Sequence, residues 1–172
     1  YLWGISQVME QRGGGFFCAC SVFCFQNGQY SNREDPMESN REYRIITNNP
    51  LALRCIPDYY QIEYRECSYR EILVTVRDLV YAGHRLYTHP LSGSVKPNET
   101  PYKSVVISKT PLGMDLGEAE IMSNSLVTFD KFTPRKRELT RRILDDFQLI
   151  DFTLLCGALN VDAVSHLSRR PK

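Results

Sequence analysis

Apolar and polar positions switch between two periods along the chain. Arg44-Ile45-Ile46-Thr47 is a short β-branched run closed by Asn48-Asn49-Pro50, which predicts a buried strand ending in a turn. Pro50 to Cys55 reads as a short helix with proline at its first position. Gln61 to Tyr64 is a weaker strand signal. Ser68-Tyr69-Arg70-Glu71 then forms a capping box, and Ile72, Leu73, Val76, Leu79 and Val80 recur at helical spacing. Gly83 is placed to end that helix. Arg85 to Thr88 and Val105 to Ser108 read as two further strands. Asp115 and Glu118 open a helix whose apolar side is Ala119, Met122, Leu126 and Phe129. Thr133 and Pro134 are expected to start another, carried by Leu139, Ile143, Leu144, Phe147 and Ile150, with a last turn between Asp162 and Ser168.

Strands alternating with helices predict an α/β fold, a small two- or three-layer one with a short, mostly parallel sheet and helices packed on it. The composition shifts near residue 37. Residues 1–36 hold Gly13-Gly14-Gly15 and the run Phe16 to Phe25, and are expected to be disordered or a non-native extension, with Met37 as the natural start. A single domain is expected over 37–168, followed by a frayed basic tail at 169–172.

Composition narrows the function classes. Of 172 residues, 21 are Lys or Arg and 20 Asp or Glu, a formal net charge of +1. Nucleic-acid and anionic-membrane binders usually carry a basic excess, so neither partner is expected. Tyr59, Tyr60, Tyr64 and Tyr69, interleaved with Arg65 and Arg70, are then better read as strand or interface tyrosines than as a stacking platform. Phe16 to Phe25 is too short to span a bilayer, which needs about 20 apolar residues, and a cytoplasmic location is expected. Cys18, Cys20 and Cys24 have no fourth ligand nearby, so no metal is expected, and no motif implies a cofactor. The basic run Arg135-Lys136-Arg137 with Arg141 and Arg142 is either a solvated helix face or a contact for an acidic partner.

The segment His89 to Ser104 carries most of the candidate chemistry. It is long for a connection, stiffened by three prolines, and rich in hydroxyls and lysine. Ser92, Ser94, Thr100, Tyr102 and Ser104 offer hydroxyls, Asn98 an amide, Lys96 and Lys103 positive charge, and Gly93 a close backbone approach. Such a set suits phosphate or carboxylate. Asn48 and Asn49 end the first strand and could line the same crevice, as could His89. The segment lacks a P-loop, and no nucleophile elbow surrounds His89.

Ile46-Thr47-Asn48-Asn49-Pro50-Leu51, Val76-Arg77-Asp78-Leu79-Val80, Gly83-His84-Arg85-Leu86 and the whole stretch from Thr88 to Ser104 resemble the GrdX family, as does Asp146 to Asp151. The resemblance covers about residues 43–155, and residues 1–36 have no counterpart in it. It implies a small cytosolic accessory protein of anaerobic, amino-acid-fermenting bacteria, encoded beside glycine, sarcosine or betaine reductase. It brings no established reaction and no catalytic residues. Three functions stay open: an accessory protein binding an anionic metabolite or a reductase-system protein through 89–104, a small enzyme acting on a phosphorylated or carboxylated metabolite with His89 and Lys96 or Lys103, and a protein–protein interaction module.

Overall fold

The computed structural model describes residues 42–93, 96–97, 99–132 and 138–167. Strand β1 (Tyr43–Thr47) lies at the centre of a three-stranded sheet. It pairs in parallel with β2 (Gln61–Tyr64) and antiparallel with β3 (Ser104–Ser108). The sheet is therefore mixed, and the expected parallel bias holds for one of its two pairings. Helix α1 (Pro50–Cys55) makes the crossover between β1 and β2. Helices α2 (Tyr69–Tyr81), α3 (Leu116–Asp130), α4 (Arg141–Ala158) and α5 (Ala163–Leu167) complete the described elements.

Strand periodicity sorts the core into two halves. Ile45 and Val106 point to the face covered by α1 and α4, where they meet Leu51, Phe152, Leu155 and Cys156. Ile46, Val105 and Ile107 point to the other face and meet Ile72, Val76 and Val80 of α2 and Met122 of α3. Helices on both faces make this a three-layer α/β arrangement. β3 is buried along its whole length, which explains its unbroken Val-Val-Ile centre.

The local signals act where they stand. The Ser68 hydroxyl and Glu71 carboxylate form the reciprocal capping box of α2. Gly83 closes that helix at φ +100°, with its amide on the Val80 carbonyl and the His84 amide on the Leu79 carbonyl. A Cβ at Gly83 would come within 3.3 Å of the Gly113 backbone, so glycine also lets these two loops touch. Asp115 caps α3 by accepting from the Gly117 and Glu118 amides.

Two expectations differ. Residues 85–88 form no strand: only Leu86 bridges to Ile107, and the rest of the segment follows β3 through single bonds such as the Tyr87 amide to the Val106 carbonyl. Helix α4 begins at Arg141 after Thr140, so Leu139 precedes it, and the expected start at Thr133 and Pro134 lies outside the described residues. The expectations for 1–36 and for the basic run 135–137 lie outside them too. No helix among the described residues is long and apolar enough to cross a membrane.

Candidate functional site

β1 and β2 run the same way and β3 runs against them, so one end of the sheet collects Asn48 and Asn49, Arg65 to Cys67, and the approach to Ser104. Ligand crevices in α/β folds form at this carboxyl end of parallel strands. Asn48, Asn49, Lys103 and Ser104 are buried here, and almost every one of their donors and acceptors is spoken for.

Asn48 is a staple. Its amide nitrogen donates to the carbonyls of Cys67 (2.9 Å) and Pro101 (2.8 Å), and its side-chain oxygen accepts from the Lys103 amide at 2.8 Å. It thereby fixes the end of the 89–104 segment to β1 and to the start of α2. Asn49 caps α1 by accepting from the Leu51 amide, and donates to the Gln148 carbonyl and to Asp151 Oδ2 at 2.8 Å. Ser104 donates both its amide (2.8 Å) and its hydroxyl (2.7 Å) to the same Asp151 carboxylate, while Thr47 Oγ1 lies 2.7 Å from Ser104 Oγ. Asp151 thus accepts three hydrogen bonds, and at 6% exposure it ties β1, β3 and α4 together.

Ser104 faces Asp151 of α4, and Lys103 precedes it just outside β3. Lys103 is 4% exposed. Its ammonium donates to the Ser92 carbonyl at 2.8 Å and to the Ser92 hydroxyl at 3.3 Å. Among the described residues, no carboxylate oxygen comes within 4.0 Å of its Nζ. Burial pushes its amine down to about 8, against the opposing pull of the Asp151 charge. His89 keeps contact with solvent, and its Nδ1 accepts the Leu91 amide at 3.1 Å. The remaining ring proton of the neutral form therefore sits on Nε2. Partial burial, and then the Lys103 charge, lower the His89 pKa, so the ring is neutral at physiological pH. Tyr69 of α2 donates to the Pro90 carbonyl at 3.2 Å and holds the segment from below.

The other candidates are placed differently. Gly93 stands at φ +138°, and a Cβ there would lie 3.3 Å from Leu154 Cδ1, so this part of the segment rests on α4. Lys96 is exposed. The Thr100 hydroxyl accepts the Tyr102 amide within its own turn. Tyr102 accepts from Gln148 of α4 at 3.4 Å. Ser94 and Asn98 lie outside the described residues. His84 is not at this end of the sheet: its ring lies 2.8 Å from the Ser108 carbonyl. A separate open groove of about 420 Å³ runs between α2 and α3, edged by Arg70, Arg77, Asp78 and Asp130. No cluster of three or more acidic, His or Cys side chains is arranged to hold a metal among the described residues.

Asp151 is the member that the hydrophobic pattern conceals. It follows Phe147 by four residues and precedes Leu155 by four, so a charge sits inside the apolar stripe of α4. That break in the stripe is the signal that marks it.

A family model described as GrdX-like protein matches residues 44–160, more than half the chain. No curated protein and no solved structure matches it.

Proposed function

The chain belongs to the GrdX-like family, and we propose that it is a non-catalytic accessory protein binding a small carboxylate between Lys103 and His89. In this reading it works in the cytoplasm beside the glycine, sarcosine or betaine reductase system, one of whose proteins is its partner. The observation that carries the reading is the Lys103 ammonium, buried with a carbonyl and a hydroxyl for company and no carboxylate within ion-pair distance among the described residues. A buried cation without a paired anion is costly, and a ligand carboxylate would relieve that cost. His89, on the same segment, adds a neutral Nε2–H donor. The engagement of Nδ1 by the Leu91 amide favours a donor role over a free general base.

Thermal denaturation with acetate, glycine and inorganic phosphate tests this. A true ligand at a hundredfold excess over its Kd stabilises by about 2.7 kcal/mol. We expect acetate to raise the Tm of the wild type and to leave Lys103→Met unmoved, while Lys96→Ala behaves as wild type. Stabilisation by phosphate alone would change the ligand class, and equal shifts in wild type and Lys103→Met would sink the reading.

A further inference from the structure

The two edges of the sheet are finished differently. Beyond β3, residues 85–88 seal the edge: the Tyr87 amide donates to the Val106 carbonyl, the Ser108 amide donates to the Arg85 carbonyl, and Leu86 bridges to Ile107. β2 forms the other edge, and among the described residues no strand pairs with its outer side. The Arg65 amide donates to the Thr47 carbonyl at 2.9 Å, which carries the β1 ladder one residue past β2. Backbone groups alternate sides along a strand, so Gln61, Glu63 and Arg65 turn theirs toward β1, and Ile62 and Tyr64 turn theirs outward. β2 holds neither proline nor lysine, two common guards of an open edge. It does hold Glu63, which lies beside Ile46 on the α2 side of the sheet. Glu63 accepts from Arg44 and, at 2.6 Å, from Arg65, whose guanidinium also reaches Thr75 of α2.

We propose that the β2 edge docks a second copy of this chain, the two β2 strands pairing antiparallel about Tyr64 and joining two three-stranded sheets into one. The order of charges selects this occupant. Glu63-Tyr64-Arg65 runs acidic, neutral, basic, so a copy centred on Tyr64 sets Glu63 opposite the partner subunit's Arg65, and Arg65 opposite the partner subunit's Glu63. The outward groups of the two Tyr64 residues exchange both ladder bonds. The flanking pairs then fall at the narrow, non-hydrogen-bonded positions, with Cα atoms about 4.5 Å apart and side chains at their closest. Opposite charges stabilise there and like charges do not. Centring on Glu63 instead would set that carboxylate against itself, so charge fixes the register as well as the partner. A foreign strand would need the reversed charge order, which a two-fold axis supplies automatically. This surface makes no use of Lys103 or His89 and stands apart from the carboxylate reading.

The test is sedimentation velocity of the full chain over a concentration series. We expect the mass to double as concentration rises. Tyr64→Pro removes the outward amide and leaves the β1 ladder alone, and proline is tolerated on an edge strand. It should keep its circular dichroism and stay monomeric where the wild type is dimeric. Arg65→Glu sets like charges at both flanking positions and should stay monomeric too. Mixed with Glu63→Arg, it regains both opposite-charge pairs, and the mixture should again double in mass. If Tyr64→Pro fails to fold, the charge variants decide alone. A wild type that is monomeric at every concentration overturns the proposal. So does a dimer that survives in folded Tyr64→Pro or in Arg65→Glu, or a mixture of the two folded charge variants that stays monomeric.

Discussion

At the sheet end Asp151 is 6% exposed and accepts three hydrogen bonds from Asn49 and Ser104. Across the α2/α3 groove Asp130 meets Arg70 through two bonds, of 2.7 and 2.9 Å, but the side chains are 46% and 53% exposed. The second pair has the better charge match and the lesser importance. In water the two ions trade hydration for each other at almost no gain, whereas a buried carboxylate cannot recover its partners from solvent. Geometry alone would rank these two regions the wrong way round. Burial ranks them.

The strongest way to break that comparison is Asp151→Ala. It strips the acceptor from Ser104 and from Asn49, and should cost about 3–5 kcal/mol in urea unfolding. A small loss would mean that the network is decoration.

Lys103 supplies the next effect. Its amine falls from 10.5 to about 8 on folding, so between those values the unfolded chain binds more protons than the native one. Stability therefore rises with pH across that window, by up to about 3 kcal/mol for a group acting alone. Lys103→Met should flatten the rise in a pH series of melts. Carboxylate binding should move oppositely and weaken above about pH 8 as the ammonium is lost.

The smallest effect belongs to the groove. Arg70→Ala and Asp130→Ala, singly or together, should leave the urea midpoint where it was. A clear coupling between them would show that the exposed pair resists solvent as the buried one does.

Much of the architecture was legible because it is written locally. The Ser68 box, the Gly83 stop and the Asp115 cap each need only a few neighbouring residues, and each sits where its pattern puts it. Residues 85–88 misled because β-branched and aromatic neighbours suggest pairing, while the backbone follows β3 by single bonds only. Asn48, Asn49, Lys103 and Ser104 do converge at one sheet end, and His89 and Ser92 join through Lys103. Lys96 does not join them. The depth of Lys103 was not legible, since a lysine between Tyr102 and Ser104 in a polar segment reads as solvated. Its burial follows only from Asn48 drawing its backbone against β1. Asp151 required knowing which face of α4 meets β3.

The bond from Asn49 to Asp151 joins residues 102 apart in the chain. Its timing during synthesis follows from that span. β1 and α1 leave the ribosome long before α4 does, and until then the Asn49 amide and both Ser104 donors have no carboxylate to bind. Closing so long a loop is entropically slow, so this corner is among the last to set. The nascent protein can thus assemble its sheet early but completes this hydrogen-bonded corner only once α4 has arrived.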